Sequence, residues 1–485
     1  MGILLKEHSA CTLILSQDHS YFAKDGKLNY LYYDPLNRII PRKFKIERGK
    51  DYYCYNYEIS ENKITLRSDY FVGIDWLTKD RFICVEPKLN MAVSNNFDKL
   101  SSISDDISQE EIIKLDEKVA LEISNSSYTN DADIKLVQEV NVVKMLLKIM
   151  SHKDIANESH NLLLVDWEAP KIEINQKQDL LSPFLIVKFL KLLQGIAKKG
   201  LKKSYYKVQE NLPSRIKGKI IVSQQIKQNV LKNKLTSTVC EYQEYGENSI
   251  ENRFLKKVYM FCSQYVENNK YYFLNSNISW IINYIQPIFQ TISSSVNVEG
   301  IKHLKYNPFY SDYKETIMIG QLILKRFSYN ITNTTAQRIA TPPFWIDMPK
   351  LFELYVYAFF IENNPKLSAE NFNYQFSTNG NSLDFLISHS KTKIVVDTKY
   401  KLKYNYSQIH EDIRQVAGYA RLKKVRNTLG LSDSNEEIPC LIIYPFPSNV
   451  TDNTITLNID DLLSKASKVD AYNNVYKLGI HLPIL

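Results

Sequence analysis

The spacing of hydrophobic and polar positions changes several times along the chain. Over residues 1 to about 90 the period is two. Lys63-Ile64-Thr65-Leu66-Arg67 and Arg81-Phe82-Ile83-Cys84-Val85 alternate apolar and polar side chains between turn-forming residues, which predicts strands. From 91 to 139 the alternation dissolves into Ser, Asn and Asp, with 11 acidic residues against 4 basic, a net of −7. That composition predicts a polar insertion with one or two solvated helices. From about 140 the period becomes helical. Val142, Val143, Met145, Leu146, Leu147 and Ile149 predict one amphipathic helix, and Phe184 to Ile196 another. In the last third, Leu351 to Asn363 reads as a helix and Phe372 to Phe376 as a strand. Asn379-Gly380 is a hairpin turn, since both residues tolerate positive φ. Ser382 to Ser388 is the return strand, Lys393 to Lys401 a third strand, Ser407 to Arg426 a helix, and Ile438 to Tyr444 a nearly all-apolar, buried strand. The predicted order is α-β-β-β-α-β.

These changes divide the chain into three expected domains. Residues 1–140 form a β-rich domain that carries the acidic insertion 91–139. Residues 141–335 form a mainly helical, basic middle region, and 336–485 an α/β core. The expected class is α+β multidomain, and 485 residues agree with about three domains at roughly 150 residues each. Hydrophobic residues at 44% and charged residues at 24% exclude global disorder. No run approaches the ~18 uninterrupted apolar residues of a membrane helix, and Met1 to Leu15 has no signal-type cleavage site. Six cysteines form no C-x-x-C and eight histidines no H-E-x-x-H. Disulfide-framework and zinc classes are therefore disfavoured, and a reducing cytoplasm is expected.

The net charge of +8 is unevenly placed. Lys188 to Lys234 holds 13 Lys or Arg and one acid, Glu210, a net of +12. Lys198, Lys199, Lys202, Lys203, Arg215, Lys217 and Lys219 lie in this segment, together with Tyr205 and Tyr206. Lysines beside aromatics suit phosphate neutralisation and base stacking; a solvated helix face fits equally, and an acidic protein partner is a third reading. Gly195 and Gly200 mimic half a phosphate-binding loop, but Leu201-Lys202 follows where that loop needs Lys then Ser or Thr. No nucleotide-hydrolysis motif is found in the sequence.

Candidate chemistry lies in the C-terminal third. Asp384 sits in Leu383-Asp384-Phe385-Leu386-Ile387, and Asp397 and Lys399 sit in Val395-Val396-Asp397-Thr398-Lys399. Residues two apart on a strand share a face, so Asp397 and Lys399 point together. A carboxylate in an apolar strand is costly unless paired or bound to a cation. Two adjacent strands, each with one Asp, suit Mg²⁺, a hard cation that takes oxygen ligands and keeps several waters. The lysine would then hold water and stabilise charge on a phosphate. An Asp–Lys ion pair across a hairpin is the plain alternative for an isolated D-x-K. Helix Glu353, strand Asp384, strand Asp397-x-Lys399 and a following helix form a much rarer set.

This set resembles the PD-(D/E)xK nuclease superfamily. Asp384 matches its first Asp, without the preceding Pro. Asp397 and Lys399 match the (D/E)xK element, Glu353 the glutamate of the first core helix, and Gln415 with Tyr419 the Q-x-x-x-Y signature of one branch. A narrower resemblance, to McrC-like nuclease subunits of McrBC- and LlaJI-type restriction systems, covers most of the chain. It runs through Gly73-Ile74 with Val85-Glu86-Pro87-Lys88, Asn211 to Ile220, Cys240-Glu241-Tyr242 with Glu251 to Lys256, and Ile346 to Val356. The resemblance implies a restriction-endonuclease-like core with catalytic residues Asp384, Asp397, Lys399, Glu353, Gln415 and Tyr419. Asp384, Asp397 and Glu353 would be the ligands of Mg²⁺, with Mn²⁺ as a substitute. It also implies an N-terminal docking domain, DNA (modified DNA in particular) as substrate, a McrB-like AAA+ GTPase hexamer on a separate chain as partner, and no membrane. Cutting both strands with one metal site per chain calls for two nuclease domains together. Two other readings compete: a non-catalytic adaptor that activates an NTPase, and a standalone PD-(D/E)xK nuclease. Retention of Asp384, Asp397 and Lys399 together argues against the adaptor, because a scaffold needs none of them.

Overall fold

A computed structural model describes residues 2–16, 30–32, 39–47, 50–90, 137–152, 155, 158–175, 179–273, 278–296, 310–327, 338–368, 370–378, 380–389, 392–400, 406–432, 434–446, 456–469 and 472–484. The acidic insertion lies outside them except at Val137–Glu139, which pairs antiparallel with Lys88–Asn90. The chain forms two compact units, 1–180 with 338–485, and 181–337. The architecture is mixed α/β with several sheets. The division departs from three successive domains: residues 1–140 and the C-terminal third pack into one unit.

The first unit is knit across its two sequence halves. Phe344–Asp347 pairs antiparallel with Phe71–Trp76 inside a five-stranded sheet. The strands expected around 63–67 and 81–85 are present as Lys63–Arg67 and Phe82–Glu86. Gly73 permits a close approach there, since a Cβ would lie 2.0 Å from the Phe344 carbonyl oxygen. Trp345 is fully buried in the core with Ile83, Val85, Leu66 and Tyr55. Arg42 ties this core down through Asp75 at 2.8 Å and Asp166 at 2.7 Å.

Asp347 ends that sheet strand and starts the next helix, Met348–Asn363. Its carboxylate accepts from the Lys350 amide at 3.0 Å, a side-chain N-cap, and also pairs with Lys45 at 2.7 Å. Pro349 in the first turn lacks only a donor that would have been unpaired anyway. The helix therefore begins at a fixed phase and rides against Val142–Ile149, whose six predicted apolar positions are all buried.

The C-terminal sheet has six strands in the order Phe372–Thr378, Asn381–His389, Thr392–Thr398, Cys440–Phe446, Val475–His481, Ser467–Lys468. The first three pair antiparallel and the next two join in parallel. Gly380 turns the first hairpin at φ +70, as expected; Asn379 lies outside the described residues. The predicted 407–426 helix is two, Tyr406–Ala420 and Lys423–Thr428. Ile413, Val416, Tyr419 and Val425 pack on Leu386, Val395 and Ile442.

In the second unit, helices Leu181–Lys199, Ile250–Asn268 and Ser311–Arg326 pack together. The stretch expected to be mainly helical also carries a three-stranded antiparallel sheet, Ser204–Pro213, Ser237–Gly246 and Lys219–Ile220. The cause is visible in the pattern: Tyr205 to Lys207 alternates in exposure, as a strand does, and the lysine-rich composition masked that period of two.

Candidate active site

Asp384 and Asp397 are set by strand register. The last hydrogen-bonded pair of their strands is Phe385 with Val396, and one further step of that register puts Asp384 opposite Asp397. The ladder stops there, so the two carboxylates face each other where backbone pairing no longer fills the space. Asp384 Oδ2 accepts from the Thr398 amide at 2.6 Å and its hydroxyl at 2.5 Å. Asp397 is buried, and its Oδ2 lies 2.7 Å from Lys399 Nζ. That contact is a close ion pair, so the buried carboxylate is partnered by the lysine.

Lys399 reaches over to the Tyr406–Ala420 helix. Its Nζ donates to Gln415 Oε1 at 3.0 Å and lies 3.9 Å from Asp412 Oδ1. Gln415 Nε2 in turn donates to the Tyr419 hydroxyl, closing a relay along one helix face. Burial works against the charge on Lys399, but Asp397 and Asp412 outweigh it and hold the ammonium above its ordinary range. The lysine is a fixed cation here, not a base. Burial, then the nearby Glu353 and Asp397, push the Asp384 carboxyl well above the usual range, against the pull of Thr398 and Lys399.

Glu353 joins the cluster electrostatically but is held by other residues. Its Oε1 accepts from Lys350 Nζ at 3.2 Å and Gln375 Nε2 at 3.0 Å. Lys350 also donates to the Tyr374 hydroxyl at 2.5 Å. Gln375 has φ +49, a left-handed conformation that costs about 1–2 kcal/mol for a residue with a Cβ. The same register places it opposite Asp384 on the other side. Among the described residues, no group of three or more His, Cys, Asp or Glu side chains is arranged to hold a metal. The expected three-carboxylate set is therefore a pair of aspartates with a glutamate restrained nearby. That pair still suits a hydrated divalent cation, which needs only one or two carboxylates.

Thr398, Asp412, Lys350, Tyr374 and Gln375 join the site without having been singled out from the sequence. Thr398 carried a signal, since it lies inside D-x-K. Asp412 lies one helical turn before Gln415. The other three depend on a neighbouring strand and helix, which no local spacing announces.

The basic positions divide differently from expectation. Lys199 pairs with Asp312, Lys202 with Glu251 at 2.6 Å, Lys203 with Glu247 at 3.7 Å and Lys217 with Glu244 at 3.1 Å. Folding brings acids from 237–251 and 312 against the basic run and neutralises much of it. Asn252 adds to this knot, donating to the Lys202 and Glu247 carbonyls and accepting from the Tyr313 hydroxyl. Gln209, then Lys207 and Lys219, the last lying opposite Glu241 in the sheet, hold that carboxyl below its ordinary range. The acid-free stretch 211–240 also displays Ile216, Val222, Leu231 and Leu235 at 64% exposure or more. Beneath it, Asn229 is buried and bonds Asn211, Gln225 and the Ser237 carbonyl, so this surface is braced from inside.

Fold and site together define a mixed α/β protein with a part-buried Asp–Asp–Lys cluster at the end of an antiparallel hairpin. The chain belongs to the McrBC 5-methylcytosine restriction system component family, whose model matches residues 77–431. The McrC-like resemblance of the sequence agrees with that membership. No curated protein matches the chain. Among solved structures, it is similar to a refined half-complex from a tetradecameric assembly of Thermococcus gammatolerans McrB AAA+ hexamers with bound McrC. That match has 14% identity over 99% of this chain and 94% of that one, with a TM-score of 0.32. The cryo-EM structure of the Thermococcus gammatolerans McrBC complex matches at 15% identity over 76% and 89%, with a TM-score of 0.26. Among the described residues no helix is long and apolar enough to cross a membrane.

Proposed function

We propose that the chain is the nuclease subunit of a modification-dependent restriction complex, hydrolysing DNA phosphodiesters with a PD-(D/E)xK-type core. The observation that carries this reading is the facing pair Asp384 and Asp397, with the Lys399 ammonium 2.7 Å from the buried Asp397 Oδ2. With Asp384, Asp397, Asp412 and Glu353 all ionised, as a bound cation would favour, against Lys399 and Lys350, the cluster's formal charge would be −2, matched to a divalent cation. Asp384 and Asp397 would hold Mg²⁺, with Glu353 restrained beside them. Bound there, the ion would polarise the scissile phosphate and acidify a water. Thr398 fixes the Asp384 carboxylate by two donors. Lys399, kept cationic, stabilises the charge that grows on the phosphate oxygens. Gln415 and Tyr419 fix the lysine's direction.

The family's description, a 5-methylcytosine restriction system component, supports duplex DNA carrying that base as the substrate. The partner is a McrB-like AAA+ GTPase on a separate chain. The chain's sequence has no phosphate-binding loop for a motor of its own, and the braced, acid-free, apolar surface of 211–240 suits an acidic protein surface with apolar patches. Exposed Ile and Leu favour a protein over a phosphate backbone there. The test is cleavage of methylated duplex DNA by the full chain with its motor. Cleavage should need Mg²⁺ or Mn²⁺ and stop in excess chelator; cleavage that continues undiminished in chelator would refute it.

A further inference from the structure

Asp412 lies on the helix Tyr406–Ala420, one turn before Gln415, so the two share a face with Tyr419. Its side chain is buried, 4% of the residue being exposed. The Lys399 ammonium is thus set among three oxygens: Asp397 Oδ2 at 2.7 Å, Gln415 Oε1 at 3.0 Å and, at ion-pair range, Asp412 Oδ1 at 3.9 Å. An ammonium has three rotatable donors and no plane of its own, so its partners decide where it points. In the proposed reaction Asp397 shares its charge with a divalent cation, which weakens its hold on Lys399. Gln415 is neutral. Asp412 then attracts the lysine from the helix side, in a desolvated setting where such attraction is stronger than at the surface.

We infer that Asp412 is a positioning residue for Lys399, holding the ammonium in place from the helix side while Asp397 serves as a metal ligand. This rests on reading Asp384, Asp397 and Lys399 as a phosphodiester-cleaving site. The arrangement divides the labour between two carboxylates on different elements. The strand Asp faces the cation, and the helix Asp keeps the lysine from following it.

The experiment is a double-mutant cycle. Single-turnover cleavage of a 5-methylcytosine duplex, at saturating DNA and Mg²⁺, is measured for the full chain with its motor. The variants are Asp412→Asn, Lys399→Ala, both together, and Asp412→Glu, with Asp397→Asn alongside. Asp412→Asn should slow cleavage about 10–100-fold, the usual loss when a group that orients a functional side chain is removed. DNA affinity, Mn²⁺ affinity and melting temperature should stay as in the unaltered protein, and Asp412→Glu should recover most of the rate. In the Lys399→Ala background, Asp412→Asn should add less than about twofold, because its effect runs through the lysine. If Asp412→Asn does not fold, Asp412→Ser takes its corner of the cycle and should slow cleavage only while Lys399 is present. Full additivity, or an unchanged rate for Asp412→Asn beside an inactive Asp397→Asn, overturns the inference alone. Undiminished cleavage by both Asp397→Asn and Lys399→Ala overturns the site reading beneath it.

Discussion

Glu7 offers a sharp stability test at the back of the site. It lies in the turn after the first strand, 5% exposed, beside Tyr400, which follows Lys399 directly. Neither carboxyl oxygen has a well-aligned donor, although the Tyr400 hydroxyl lies alongside. Burial raises its pKa to about 8, against the smaller opposing effect of Tyr400. The folded protein therefore keeps Glu7 protonated at pH values where the unfolded chain has released the proton. Below about pH 4.5 both states are neutral and the carboxyl carries no ionisation penalty. Between there and pH 8 stability falls by about 1.4 kcal/mol per pH unit, and above pH 8 the loss is complete. Glu7→Gln keeps the shape and removes the titration. Its advantage over the native residue should be near zero at pH 4.5 and about 3 kcal/mol at pH 7. The assay is thermal unfolding of both proteins from pH 5 to 8.5. The difference in melting temperature should widen with pH, reaching about 5–10 °C at pH 8. A difference that is flat with pH, or a variant that is less stable at pH 8, would refute a buried, protonated Glu7.

Three more tests follow from particular contacts. Thr398→Val removes the hydroxyl that donates to Asp384 at 2.5 Å; cleavage should fall about tenfold, for ~1.4 kcal/mol of lost orientation, with the melting temperature held within a few degrees. Lys202→Met leaves Glu251, 12% exposed, without its 2.6 Å partner; unfolding should show a loss of about 1–3 kcal/mol, while DNA affinity measured on the folded protein stays constant. Leu231→Ser with Leu235→Ser, both more than 70% exposed, should leave stability within about 0.5 kcal/mol and weaken binding to the motor in a pull-down or calorimetric titration. Unchanged motor binding, with DNA affinity reduced instead, would assign that surface to DNA.

The C-terminal third was legible because its signals are local. Alternation set the strands, Asn379-Gly380 set the hairpin, and i, i+4 spacing put Gln415 and Tyr419 on one helix face. The hairpin register then brings Asp384 and Asp397 together without further information. What the sequence hid is long-range. Glu353 reads as a ligand by its place in the helix, but Gln375, in a conformation that propensity does not favour, takes hold of its carboxylate. The basic run 188–234 looked like a binding surface because the acids that neutralise Lys199, Lys202, Lys203 and Lys217 lie from 27 to 113 residues further along the chain. The pairing of Phe344–Asp347 with Phe71–Trp76 joins segments about 270 residues apart, and no window of pattern reveals such a partner.

The most direct measurement is made on one reconstituted complex of the full chain, its motor and 5-methylcytosine DNA. Asp397→Asn preserves the shape of the buried side chain and removes its charge, so a divalent cation loses much of its attraction to that ligand. DNA cleavage and stimulated GTP hydrolysis are followed in the same sample. Cleavage should fall by at least about 100-fold, while stimulation of the motor stays at the level of the unaltered protein. Cleavage at the unaltered rate would contradict the account, leaving Asp397 and Lys399 as an ion pair that only braces the hairpin.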